Sequence, residues 1–320
     1  MTPLKVAGAP ITWGVCEVPG WGPQLDPDRV LGEMAGIGLE ATELGPKGFL
    51  PFDATRLREL LDAHGLRLVG GFVPVVLHER DRLEERLGRV AAAADLLAGG
   101  GSDVLVLAAA FPKRGYDTSP ELDEDEWGRL LGGIDRVVES AGERGLTVAL
   151  HPHYGTAIER PGQVDRLLQD SDVPLCLDTG HLMVGGADPL DVARRAGERV
   201  VHVHMKDVAA GLAERVRAGV LGYQEAVAEG MYRPLGEGDL DVPAIVRALR
   251  DVGFDGWFVL EQDTVLKEVP AEGTGPVRDA AASLELLRRV AEELDHGNPA
   301  SGGRRGAGAR DAASRVRRVG

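Results

Sequence analysis

A chain of 320 residues with 43% hydrophobic and 27% charged residues has the composition of a globular protein, which excludes wholesale disorder and collagen-like repetition. Its net charge of −15 argues against nucleic acid and anionic membranes as partners, because an acidic surface repels both. No apolar run reaches the roughly 18–20 residues that cross a bilayer, no signal-peptide pattern begins the chain, and only Cys16 and Cys176 are cysteines. We therefore expect a cytoplasmic protein.

Short apolar runs alternate with amphipathic stretches from one end of the chain to the other. Several of the runs are dense in Val and Leu at consecutive positions, which is typical of buried parallel strands. The eight predicted strands are Val6–Trp13, Ala41–Leu44, Leu66–Val73, Asp103–Ala108, Leu146–His151, Pro174–Asp178, Val200–His204 and Trp257–Glu261.

Helical patterns fill the intervals between these runs. Stretches that begin at Asp53, Asp125 and Asp241 each end at a glycine, which is a common signal for a helix end. The connection after the seventh strand, residues 208–240, is unusually long and includes one predicted extra helix over Ala210–Ala228. A connection of this length in a compact domain is usually functional, and in a barrel it would lie on the catalytic face.

The strict alternation of strands and helices predicts a parallel sheet. Residues 1–295 have a suitable length for a closed (β/α)8 barrel, and no linker divides them. A doubly wound open sheet is the alternative, but its usual Gly-rich phosphate loop is missing after the first strand. We predict an α/β fold with a single (β/α)8 TIM barrel. Residues 296–320, with six Arg and one Asp, are expected to form a disordered basic tail.

Polar side chains gather at the ends of the last four predicted strands. Side chains two positions apart in a strand share a face. If those faces point into the barrel mouth, Asp178, His204 and Glu261 converge there, and His151 arrives from a fourth strand. A mixed set of carboxylates and imidazoles suits Mn, Co, Fe or Zn better than Mg. Such an ion would polarise a carbonyl or hydroxyl oxygen as a Lewis acid.

Other side chains near the strand ends have two interpretations each. His153 either takes part directly or orients a ligand, and His202 is either a contact residue or a hydrogen-bonded lining residue. Asp178 also fits a helix cap. Trp13, at the end of the first predicted strand, either forms a wall for a sugar or cyclitol or lies in the core.

Four segments resemble motifs of the xylose isomerase-like barrel superfamily, which includes sugar isomerases, sugar epimerases and the endonucleases of abasic-site repair. They are Asp178-Thr-Gly-His, His202-Val-His-Met-Lys-Asp, Gly236-Glu-Gly-Asp-Leu-Asp and Val-Leu-Glu261-Gln. Within that superfamily, Ala9-Pro-Ile-Thr-Trp-Gly and His151-Pro-His-Tyr-Gly-Thr look like motifs of the inosose dehydratases, an enzyme family of myo-inositol catabolism. The resemblance covers residues 5–292.

This resemblance implies a divalent metal cofactor, commonly Mn or Co, with ligands at the positions of Asp178, His204 and Glu261. Sugar epimerases usually place a Glu at the end of the fifth strand, where this chain has His151. That departure disfavours an epimerase-style exchange of protons between two carboxylates and favours dehydration. The full predicted metal set is His151, Asp178, His204 and Glu261, and the predicted substrate contacts are Trp13, His181, His202 and Asp207.

The implied reaction is the loss of water from 2-keto-myo-inositol (scyllo-inosose) to give a trihydroxycyclohexane-1,2-dione. His151, His153 and Lys206 are the catalytic candidates, with base and acid not assigned among them. A keto-sugar or inosose isomerase or epimerase is the alternative on the same barrel. The acidic body disfavours a nuclease, and a non-enzymatic binding protein would tolerate a site without metal. The expected substrate is a small polyhydroxy ketone, with no nucleic acid or membrane partner; a homo-oligomer is left open.

Overall fold

The computed structural model describes residues 4–112, 116–117 and 120–296. Within these ranges the fold is a parallel β-barrel surrounded by helices, as the sequence predicted. The strands are β1 (Lys5–Gly8), β2 (Ala41–Glu43), β3 (Arg67–Gly70), β4 (Phe72–Val75), β5 (Val104–Ala109), β6 (Thr147–Leu150), β7 (Leu175–Asp178), β8 (Val200–Met205), β9 (Asp207–Val208), β10 (Tyr232–Arg233) and β11 (Trp257–Leu260).

The helices pack around the outside of the barrel or lie in the connections at its mouth. They are α1 (Pro27–Gly36), α2 (Ala54–Ala63), α3 (Leu83–Gly100), α4 (Glu124–Gly142), α5 (Pro161–Asp170), α6 (Thr179–Gly185), α7 (Pro189–Ala196), α8 (Ala210–Arg217), α9 (Tyr223–Ala228), α10 (Val242–Asp251) and α11 (Pro276–His296). Among the described residues, no helix is both long and apolar enough to cross a membrane.

One continuous stretch of chain closes the barrel. The strand order is β3-β2-β1-β11-β8-β7-β6-β5-β4, so the first and last strands of the sheet are separated in sequence by Gly71 alone. The Gly71 carbonyl accepts a hydrogen bond of 3.0 Å from the Val106 amide on β5. A Cβ at Gly71 would lie 2.8 Å from a methyl group of the buried Leu97, which would have to shift to make room for it.

The first strand is shorter than predicted. It ends at Gly8, and Pro10–Trp13 forms a 3-10 helix instead of continuing the run Val6–Trp13. Proline has no backbone N–H for a sheet ladder but fits the first turn of a helix, which explains the early end. The predicted disordered tail is not tested, because residues 297–320 lie outside the described part of the chain.

Aspartate caps begin the predicted helices. The Asp53 carboxylate accepts from the Arg56 amide at 2.9 Å, and Asp241 accepts from the Ala244 amide at 2.9 Å. The helix predicted from Asp125 begins slightly earlier, at Glu124, because Asp123 forms a capping box with Glu126.

The connection over residues 208–240 folds onto the carboxyl end of the barrel. It contains two helices, α8 and α9, where the sequence predicted one over Ala210–Ala228; the chain turns between them at Gly219, which has a φ of +67°. The short strands β9 and β10 pair antiparallel within the same connection. The buried carboxylate of Asp207 accepts hydrogen bonds from four backbone amides, those of Val208, Gly236, Gly238 and Leu240.

Candidate active site

Four side chains from neighbouring strands meet at the carboxyl end of the barrel. His151 follows β6, Asp178 ends β7, His204 lies on β8 and Glu261 follows β11. One donor atom of each lies within 4.8 Å of the other three. The Asp178 Oδ2 atom is 3.4 Å from His151 Nε2 and 3.4 Å from His204 Nδ1, and His204 Nδ1 also contacts Glu261 Oε2. We call these four side chains the four-ligand cluster.

Hydrogen bonds on the far side of each imidazole orient the two histidines of this cluster. His151 Nδ1 lies 2.8 Å from the Pro152 carbonyl, which can only accept, so this nitrogen carries the proton and Nε2 faces Asp178 with a lone pair. His204 Nε2 lies 3.0 Å from a carboxylate oxygen of Glu43 and donates to it. In the neutral ring, His204 Nδ1 therefore also presents a lone pair to the cluster.

The surroundings of the cluster carry an excess of negative charge. Among the described residues, the carboxylates of Asp178, Glu261 and Asp263 lie around the ammonium group of the fully buried Lys206, and Glu43 lies on the far side of His204. Burial lowers the pKa of His204, but interactions with Cys176, Glu261 and Glu43 outweigh burial and raise this pKa well above its usual value. The environment therefore favours an added positive charge at this point.

A divalent cation fits this donor set. Within the described residues, the buried atom His204 Nδ1 has no hydrogen-bond partner in acceptable geometry, although it faces Glu261 Oε2. Buried polar atoms are rarely left unsatisfied. Two ring nitrogens with two carboxylates match the ligand preferences of Mn, Co, Fe and Zn.

Within the described residues, three other groups of ligating side chains also lie close together, but each includes a member that is protonated or already accepts a hydrogen bond. Burial raises the pKa of Cys176 to about 11, so its thiol stays protonated and binds metal poorly. Glu43 already accepts from two ring nitrogens, and His181 Nδ1 already accepts from a backbone amide. These groups are His151/Cys176/His204, Glu43/His202/His204 and His151/His153/His181.

Glu43 was missed in the sequence. It ends β2, yet its Oε1 atom accepts from His202 Nε2 at 2.7 Å and from His204 Nε2 at 3.0 Å across the barrel. Burial raises its pKa, but the two histidines outweigh burial and hold the pKa below its usual range. The available signal was a carboxylate at the end of a predicted strand, the same signal that drew attention to Glu261.

A second pair of histidines lies beside the four-ligand cluster, with opposite tautomers. The ring centroids of His153 and His181 are 3.7 Å apart. His153 Nδ1 donates to the Tyr154 carbonyl at 2.7 Å, so Nε2 is a bare acceptor; the Tyr154 amide donates to His181 Nδ1 at 3.4 Å, so Nε2 of that ring carries the proton. Burial lowers the pKa of His153 to about 3 and also lowers that of His181, so both rings are neutral.

An aromatic side chain forms one wall of the mouth. Phe72, the first residue of β4, is 36% exposed, and its ring centroid lies 5.2 Å from that of His153 and 5.9 Å from that of His151. The strand pattern did not single it out. An exposed ring beside buried imidazoles provides an apolar surface next to the reactive groups.

The structure places three predicted substrate contacts elsewhere. Trp13 is fully buried, and its indole N–H donates to Glu33 at 2.9 Å, so it belongs to the core, the other interpretation of the sequence. His202 lies one layer deeper than His204 and donates to Glu43. Asp207 is occupied by its four backbone amides and anchors the 208–240 connection. The remaining predicted contact, His181, does lie at the site.

Comparison with known proteins agrees with this architecture. Residues 31–290 match the family model described as a xylose isomerase-like TIM barrel. The chain belongs to this family. An inosose dehydratase of Geobacillus kaustophilus is 32% identical over 274 residues, which cover 82% of this chain and 88% of the relative. The rhizopine catabolism protein MocC of Rhizobium meliloti is 33% identical over 268 residues, covering 81% of this chain and 82% of that protein.

Solved structures share the fold at lower identity. An L-ribulose 3-epimerase superposes with a TM-score of 0.68 at 17% identity, covering 93% of this chain and 99% of the epimerase. The IOLI protein, solved with a bound zinc atom, superposes with a TM-score of 0.67 at 13% identity, covering 91% and 99%. The predicted superfamily of this chain and the predicted likeness of the chain to the inosose dehydratases are both confirmed. The similarity to dehydratases makes the chain an enzyme of the lyase class.

Proposed function

We propose that this protein is a metal-dependent dehydratase that removes one water from 2-keto-myo-inositol (scyllo-inosose) and yields a trihydroxycyclohexane-1,2-dione. The observation that carries the proposal is the pairing of a bare imidazole nitrogen, His153 Nε2, with nearby N–H donors on His181 and Lys206. Dehydration needs a base for the C–H proton and a separate acid for the departing hydroxyl. The similarity to inosose dehydratases over four fifths of the chain supports the substrate.

The four-ligand cluster would hold the cation through His151, Asp178, His204 and Glu261. Mn or Co is the proposed ion, and zinc is the ion named for the IOLI relative. When bound, such an ion supplies Lewis acidity at the substrate carbonyl and makes the adjacent C–H bond more acidic. Glu43 keeps the His204 ring in the tautomer that this role requires.

The chain's own residues divide the proton transfers between them. His153 Nε2 is bare, and we assign it the role of accepting the proton from the carbon next to the carbonyl. Lys206 is held close to Asp178 and Glu261, whose charge raises its pKa above the usual value against the effect of burial, so it is protonated and can donate to the leaving hydroxyl. His181 Nε2–H is placed to bind a substrate hydroxyl.

The same geometry disfavours an epimerase. Epimerisation exchanges a proton at one carbon between two groups on opposite faces. His151 follows β6, at the position where the sugar epimerases that this chain resembles usually carry one of those two groups as a Glu. A small polyhydroxy ketone is the proposed substrate, and the cytoplasm the proposed location.

One assay tests the function directly. Purified protein is incubated with scyllo-inosose and either Mn²⁺ or EDTA, and the products are read by mass and ultraviolet absorbance. We expect the loss of one water with Mn²⁺ and none with EDTA. Isomerisation without a change of mass would instead identify an isomerase. In the His153→Ala and Lys206→Ala variants we expect turnover to fall by about 10²-fold or more, and near-normal turnover in both would contradict the assigned roles.

A further inference from the structure

The Lys206 ammonium group lies on the same carboxylate oxygens that the proposed cation would use. Lys206 Nζ is 2.6 Å from Asp178 Oδ2 and 2.8 Å from Glu261 Oε2. Those oxygens are the ones that approach His204 Nδ1 in the four-ligand cluster. A divalent ion and an ammonium on the same two oxygens repel each other strongly in a buried site. Binding of a cation therefore requires another place for the ammonium.

Asp263 offers that place. Its Oδ1 atom is buried, has no hydrogen-bond partner among the described residues, and lies 3.7 Å from Lys206 Nζ. Its other oxygen, Oδ2, accepts a hydrogen bond of 3.0 Å from the Tyr223 hydroxyl. The Tyr232 hydroxyl lies 2.9 Å from that of Tyr223 and is free to donate to it in turn. One oxygen of Asp263 is thus fixed, and the other is an unused acceptor facing the lysine.

Packing keeps this acceptor in position. Tyr223 is fully buried on α9, with the rings of Tyr116 and Tyr154 stacked on it at centroid distances of 4.2 and 5.3 Å. The stem of Lys206 passes against Gly180, where a Cβ would lie 2.6 Å from the lysine Cβ and 2.7 Å from the Tyr232 ring. Because the stem is confined, small rotations near its end are what remain to carry Nζ between the carboxylates.

We propose that Asp263, held by Tyr223, positions the Lys206 ammonium on a second site, which the ammonium takes when a cation binds Asp178 and Glu261. The inference rests on the cation site of the proposed function. It gives the 208–240 connection a defined task, since Tyr223 and Tyr232 both belong to it. Asp263 and Tyr223 are positioning residues that act through Lys206, and no covalent step is involved.

A double-mutant cycle on Mn²⁺ affinity tests this assignment without using enzyme activity. The affinity of the full chain is measured by electron paramagnetic resonance for the wild type, Asp263→Asn, Lys206→Met and the double variant. We expect Asp263→Asn to weaken Mn²⁺ binding about 10-fold in the wild type, because the displaced ammonium loses its partner. In the Lys206→Met background, the factor by which Asp263→Asn weakens Mn²⁺ binding should be at least five-fold smaller. Equal losses in both backgrounds would show a simple through-space charge effect and overturn the inference.

A variant that replaces no charged residue provides a second measurement if Lys206→Met does not fold. Tyr223→Phe keeps the ring stack and removes only the hydroxyl that holds Asp263, and we expect Mn²⁺ binding to weaken about three- to ten-fold. Tyr154→Phe, which removes a hydroxyl from the same stack, is the matched control and should leave the affinity within two-fold. Wild-type affinity in Tyr223→Phe would overturn the inference. Because no substrate is present, a failure of the dehydration assay with Mn²⁺ bound would leave this measurement intact.

Discussion

The two halves of the barrel mouth differ sharply in chemistry. The side formed by β6, β7, β8 and β11 carries the four-ligand cluster, together with Lys206 and Asp263. On the side formed by β1 to β5, Ala9 follows β1, β5 ends in Ala109, and Phe72 at the start of β4 contacts His153, with Glu43 at the end of β2 as the charged exception. Charges placed on one side can share partners, which reduces the cost of burying them. The opposite side then supplies a wall and one carboxylate that reaches across.

Removing a central charge from the polar half should have the largest effect. Asp178 contacts His151, His204 and Lys206 at once, so Asp178→Asn is expected to lower kcat/KM by about 10³-fold. Steady-state kinetics and metal content measure this. Asp165→Asn, which disturbs an ion pair with Arg195 on the outer helices, is the control and should keep full activity. A loss smaller than ten-fold in Asp178→Asn would contradict the division between the two halves.

Glu43 tests the one polar contribution from the apolar half. Glu43→Ala removes the acceptor of both His202 and His204, and we expect a 10- to 100-fold loss of Mn²⁺ affinity and activity. Glu43→Gln keeps an acceptor oxygen and should fall between Ala and the wild type. Isothermal titration measures the Mn²⁺ affinity of all three proteins, and steady-state kinetics measures their activity. An unchanged metal affinity in Glu43→Ala would show that the tautomer of His204 is fixed in another way.

Phe72 tests the apolar wall itself. Phe72→Ala should raise KM for the inosose about 10-fold with kcat little changed, because the ring contributes contact area but no chemistry. The matched control is Phe52→Ala on the β2–α2 connection, where a ring that is 57% exposed lies against Lys47. If both variants shift KM equally, Phe72 is not a wall of the substrate site.

The smallest effect concerns stability. A cation that binds only the folded protein should raise the melting temperature by about 4 °C at a Mn²⁺ concentration of 100 times Kd, and EDTA should reverse this shift. His204→Ala removes a central ligand and should abolish the shift in the same thermal scan. A shift of equal size in that variant would place the bound ion elsewhere.

Much of this division could be predicted from the sequence because the signals are local. Val- and Leu-rich runs, aspartate caps and glycine stops define a parallel barrel, and four polar strand ends follow from the strand pattern. Parallel strands in a barrel bring their carboxyl ends to one mouth, so His151, Asp178, His204 and Glu261 could be expected to meet there.

The contacts that cross the barrel could not be predicted in this way. Glu43 and His202 are 159 positions apart in sequence, and only the closed barrel brings them to 2.7 Å. Asp207 looks like a site residue because it follows His204 and Lys206, but a turn of the chain directs its carboxylate to backbone amides. Whether the Trp13 side chain faces the site or the core depended on where the first strand ends, and Pro10 determines that end. In each case, the position of the side chain depends on the direction in which it points after the backbone changes course, and the strand pattern does not give that direction.

The hydrogen bonds from backbone amides to the Asp207 carboxylate affect the entropy of ligand binding. Four hydrogen bonds, and a Gly238 position at which a Cβ would collide with the same carboxylate, fix both ends of the 208–240 connection through contacts within the chain itself. The loss of backbone freedom in this segment is therefore a cost of folding and not of association. A substrate meets a connection that is already ordered, so its intrinsic affinity is not reduced by the freezing of a long loop.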